Sequence, residues 1–81
     1  MLDEIVLREP KHGCEVLCEA DTNFGRTRDL RVFTVKRLRF RTDWTVTENN
    51  ANIADFLEWS GFCTFLKDIR ASNIEVSEFH Q

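Results

Sequence analysis

Eighty-one residues carry 42% hydrophobic and 31% charged side chains with only three glycines and one proline, which excludes a disordered chain and leaves room for one core only. The formal charge of −3 conceals a strong sorting. Residues 1–25 hold six acids against Arg8 and Lys11, residues 26–41 hold seven bases against Asp29, and residues 42–81 hold seven acids against Lys67 and Arg70.

No apolar run approaches the ~20 residues needed to span a bilayer. Asp3 and Glu4 stand where a secretion signal would place cations, so a cytoplasmic location, in the cell of origin or in a host, is the expectation. The three cysteines cannot all pair, which fits a reducing compartment.

In chain order, residues 3–9 alternate as a strand, with Ile5 and Leu7 on one face. Pro10 to Gly13 reads as a turn, because proline presets the second turn position and glycine accepts the left-handed conformation at its close. The chain then returns as a strand over 14–20, with Cys14, Val16, Cys18 and Ala20 inward and Glu15, Leu17 and Glu19 outward. In that conformation Cys14 and Cys18 lie ~13 Å apart, too far to share a disulfide or a zinc ion. They are read as structural thiols, with no metal and no cofactor expected. Asp21 to Gly25 is a loop by its breaker content.

Residues 30–47 are rich in Val, Phe, Thr and Trp. As one strand they would run ~60 Å, so the segment must break. Apolar parity flips between Leu30/Val32 and Phe33/Val35, which predicts a bulge near Val32-Phe33 and a reversal near Lys36-Arg37. Beyond it, Leu38, Phe40, Trp44 and Val46 form an apolar row, and Arg37, Arg39, Arg41 and Asp43 form the opposite one.

Asn49 to Asn52 is expected to open a helix over 50–71, with Asn52 and Asp55 as reciprocal caps and Ile53, Phe56, Phe62, Cys63, Leu66 and Ile69 as its apolar stripe. Ser60-Gly61 would interrupt it. A helix-turn-helix centred there fits poorly, because Leu57 occupies the place that wants a small residue and the second helix offers a mixed set for phosphates. Ile74, Val76 and Phe79 suggest a closing strand whose free edge would permit a homodimer.

The expected fold is therefore α+β: an antiparallel sheet of four or five strands with one helix, broken or continuous, packed on one face. Trp44 belongs to the core. Trp59 falls off the helical stripe and, with Phe65, is a candidate contact for a partner. Arg37, Arg39 and Arg41, with Arg31 nearby, are the candidate partner-binding surface.

Guanidinium groups every ~7 Å along a strand match nucleic-acid phosphates, but the aromatics that should stack on bases lie on the other row. Alternatively, the bases pair across strands with Glu15, Glu19, Glu75 or Glu78. His12 in a turn and His80 near the end are poorly placed as general bases, and no nucleotide-binding or nucleophile motif is present. The expectation is a small non-enzymatic protein that regulates, inhibits or adapts a larger protein partner, of a size shared by phage and mobile-element accessory proteins. A nucleic-acid-binding module is the alternative.

Overall fold

A computed structural model describes residues 4–38 and 42–80. Five strands and one helix succeed one another in chain order: β1 (Gly13–Thr22), β2 (Thr27–Arg37), β3 (Trp44–Glu48), β4 (Ala51–Leu57), α1 (Trp59–Asp68) and β5 (Ser72–Glu78). All pairings are antiparallel, and the strands lie in the order β4-β3-β2-β1-β5. The α+β architecture is the expected one.

Alternation along β1 buries Cys14, Val16, Cys18 and Ala20 completely. Phe33 and Val35 of β2 and Trp44 and Val46 of β3 complete that face, and Phe62 and Leu66 of α1 close over it. Nothing among the described elements covers the other face, where Glu15, Leu17 and Glu19 stand beside Thr34, Val32 and Leu30 in register.

Gly61 lies inside the first turn of α1 rather than breaking it. A Cβ there would come 2.8 Å from Leu57 Cδ1, so the glycine leaves room for the Leu57 side chain of β4 against the first turn of the helix. The helix ends with Ala71 N–H donating to Leu66 C=O and Arg70 N–H to Lys67 C=O, with Arg70 at φ 52. This Schellman-type close usually takes glycine at the left-handed position. Here it carries an arginine, whose side chain is thereby turned back toward β1.

Four expectations are corrected. The described part of the expected 3–9 strand, residues 4–9, forms no strand, because both edges of β1 are taken by β2 and β5. Ile5 and Leu7 still pack on the core. Residues 51–57 are strand rather than helix: Asn49 and Asn50 sit at φ 52 and φ 64 and make a two-residue hairpin turn. Asn52 does meet Asp55, but side chain to side chain at 2.7 Å within β4, not as a cap. Finally, β2 runs without a bulge at Val32-Phe33, its register against β1 being continuous from Lys36 to Thr27. The reversal comes later, after Arg37, where Leu38 N–H donates to Asp43 C=O.

One helix cannot make a helix-turn-helix, so that reading has no counterpart among the described residues. Nor is any helix there long and apolar enough to cross a membrane.

Candidate functional site

Continuous register places Arg31 opposite Cys18, on the same face of β2 as Phe33 and Val35. A cation there must be neutralised, and it is. Its guanidinium donates to both oxygens of Glu48 at 2.9 and 2.7 Å and to the Asp21 carbonyl at 2.8 Å, and lies 5.0 Å from the Phe33 ring centre. Both side chains are mostly buried, 18% and 17% exposed. The hydrogen bond from Arg31 holds the Glu48 carboxyl below the usual carboxylate range against the opposing effect of burial. Arg31 is therefore a structural cation, not the free contact expected of it.

Asp21 gathers two further cations at the end of β1. Arg70 donates to it at 2.7 and 3.2 Å and Arg28 at 2.8 Å, and Arg28 also reaches the Glu19 carbonyl and Ser72 Oγ. The Arg70 hydrogen bond is the largest influence lowering the Asp21 carboxyl below its ordinary value.

Arg37 closes β2 opposite Trp44. Its guanidinium lies 4.3 Å from the Trp44 ring centre and donates to the carbonyls of Lys11 at 3.1 Å and Pro10 at 3.3 Å, with Glu9 at 3.5 Å. The arginine thus ties the N-terminal segment to the sheet. Arg39 and Arg41 lie outside the described residues. Of the expected row only Arg37 and Asp43 are described: Arg37 ends β2, and Asp43 stands just before β3 and accepts from Leu38 N–H.

Trp59 is likewise spent inside. Its Nε1 donates to the Leu7 carbonyl at 2.7 Å, and its ring lies 5.3 Å from both Trp44 and Phe62. Phe65 meets Phe33 edge-on at 5.3 Å. The two aromatics expected at a partner surface are packed against the core instead.

The most exposed large apolar side chain is at the β1–β2 turn. The β1–β2 hairpin turns through Asn23, Phe24 and Gly25 at φ 49, 57 and 84, three consecutive left-handed residues. Thr22 and Thr27 hydroxyls bridge its base, and Asn23 Nδ2 donates to Thr27 Oγ1 at 3.2 Å. This scaffold holds Phe24 wholly in solvent. A phenylalanine at positive φ is a genuine outlier, costing of order 1 kcal/mol.

Leu30, 70% exposed, and Val32 continue the apolar surface down the open face. Phe24, Leu30, Asn49 and Ile69 line a shallow depression between this hairpin and the β3–β4 turn. A second groove runs between residues 4–9 and the helix, past Ile5, Leu7, Trp59, Cys63 and Lys67.

Two signals for the hairpin surface are present in the sequence: an aromatic set among turn residues, and the wrong-parity pair Leu30/Val32. The second is equally the signature of a bulge.

Burial pushes the Cys14 thiol up to about 11, with Glu78 adding to the effect, and raises Cys18 as well. Cys63 is half-buried. Among the described residues no three His, Cys, Asp or Glu side chains cluster to hold a metal. No protein-family model, no curated protein and no solved structure matches the chain.

Proposed function

We propose that this chain is a non-enzymatic binding protein that regulates, inhibits or adapts a larger protein partner, and that the Phe24 hairpin tip is its contact. The observation that carries this reading is a strained and fully exposed aromatic on a braced turn. Backbone strain persists where the surroundings impose it, and it gathers at sites of function. Burying a phenylalanine in a partner's pocket contributes roughly 1.5 to 3 kcal/mol, and a braced tip surrenders little entropy on docking. Leu30 and Val32 extend the apolar contact, and the exposed Arg26 beside the tip supplies a cation at its rim. Three free thiols fit action in a reducing cytoplasm, its own or a host's.

Nucleic-acid binding is weaker as an alternative, because Arg28, Arg31 and Arg37 already make ion pairs within the chain. The test places a photo-crosslinking phenylalanine analogue at position 24 and, separately, at the exposed Lys36, in cells of the source. One protein adduct specific to position 24 is the expected result. Adducts equal at both positions, or nucleic acid captured at Lys36, would overturn the proposal.

A further inference from the structure

We infer that the free edge of β5 accepts an extended partner segment in which apolar and basic residues alternate, a second interaction surface separate from the Phe24 tip. Strand β5 ends the sheet order, so one of its sides is unpaired among the described residues. Backbone groups in an antiparallel ladder point alternately to the two neighbours. Phe79 N–H donates to Gly13 C=O at 2.8 Å, so Ser77 and Glu75 also face β1, while Val76 and Glu78, in the regular stretch, turn their N–H and C=O groups to the open side.

Natural edges are usually blunted by lysine, proline or a bulge. Here β5 has neither lysine nor proline, and its irregularity is confined to the start, where Asn73 sits at φ 51. From Glu75 to Glu78 its register against β1 is regular. The opposite edge, β4, shifts register twice against β3 and carries Phe56 at φ 55, which makes it a poor template.

Side chains on β5 specify the occupant. Ile74 packs on the core and Val76, 40% exposed, stands beside it on the helix-covered side, offering apolar contacts to every second residue of an added strand. On the opposite side Glu75 stands next to Leu17 in register, with Glu15 and Glu19 along β1. Among the described residues, Glu15, Glu75 and Glu78 make no ion pair with any cation. An added strand with lysine or arginine at its open-face positions neutralises Glu75 and Glu15, while Glu78, in register with Cys14, lies on the covered side; a second copy of this chain instead brings the same acids edge to edge.

The test titrates isotope-labelled protein with a capped Lys-Val-Lys-Val-Lys-Val peptide and with its Glu-Val counterpart, reading resonance shifts and amide exchange residue by residue. The basic peptide is expected to shift and protect Val76 and Glu78, and the acidic one to bind at least about ten-fold more weakly. Val76→Pro removes an outward N–H without breaking a bond to β1, and is expected to weaken the basic peptide by about ten-fold. Glu75→Lys is expected to weaken it roughly two- to five-fold.

Equal response to both peptides, or shifts confined away from β5, would overturn the inference. So would protection of the same amides in unliganded protein that dimerises with concentration, since the occupant would then be a second copy. These readouts lie on β5 and stand whether or not Phe24 binds a partner.

Discussion

Arg31 and Phe24 sit on neighbouring stretches of one hairpin, and each occupies the environment expected of the other. The arginine lies under the sheet's covered side with every strong interaction satisfied, while the phenylalanine stands in water with none. A cation can be placed indoors when a carboxylate fork, a carbonyl and a ring are prearranged around it. An exposed aromatic in a strained turn has no such compensation within the chain. Charge alone is therefore a poor guide to where this protein would meet a partner, and unsatisfied apolar surface is the better one.

Substitutions that exchange core and tip test this contrast most strongly. Trp44→Ala empties the centre of the core and is expected to cost about 3 to 5 kcal/mol in urea unfolding. Phe24→Ala is expected to stay within about 0.5 kcal/mol of the parent. A comparable loss from Phe24→Ala would mean that the tip is structural.

Arg31→Ala comes next, because it strands a mostly buried Glu48 carboxylate, and should cost about 2 to 3 kcal/mol. Removing both charges together, as Arg31→Met with Glu48→Gln, should recover most of that loss by the same measurement. If the double change is no better than the single one, the pair's geometry matters more than its charge.

Acid should sharpen the picture further. Asp21 and Glu48 titrate lower folded than unfolded, so the unfolded chain takes up protons first and stability is lost as pH falls, from about pH 5 toward pH 3. Melting temperature tracked by circular dichroism is expected to drop through that window, and to drop less in the Arg31→Met, Glu48→Gln protein. At the alkaline end the sign comes from Cys14, whose folded value is raised: its stabilisation is complete below the ordinary thiol range and fades as pH climbs toward about 11.

The smallest effect is the most pointed. Phe24→Gly places at φ 57 the residue that tolerates it, and is expected to raise stability by about 0.5 to 1 kcal/mol while abolishing partner binding.

Much of the fold can be read from the residues because period-2 alternation survives wherever one face is covered. Strand β1 and the last strand emerge for that reason, as does the apolar stripe of α1 from Phe62 onward. Residues 51–57 read as helix because Ile53 and Phe56 stand three apart, and the irregular register of β4 erases the alternation that would identify a strand.

The turn at Asn49-Asn50 is the available correction, since paired asparagines suit two left-handed residues. Residues 4–9 show the converse. They alternate like a strand, but a ladder also needs a free neighbour, and β1 has none to give.

The candidate site is legible only in fragments. Leu30 and Val32 break the parity of the residues after them, and a broken parity has two physical solutions: the backbone bulges, or the apolar pair stays exposed. Assuming that apolar residues must be buried selects the first, whereas the continuous β1–β2 register selects the second. Nothing in the sequence marks Arg31 as paired, because Glu48 lies seventeen residues away and meets it only through the β2–β3 reversal.

Calorimetric titration of the protein crosslinked through position 24 separates tip from arginines most directly. Against the parent chain, Phe24→Ala is expected to weaken binding by about thirty-fold or more, as for a buried aromatic anchor, while Arg39→Glu with Arg41→Glu changes it by less than about three-fold. Retained affinity in Phe24→Ala together with a collapse in the arginine variant would contradict the assignment of the hairpin tip as the binding surface.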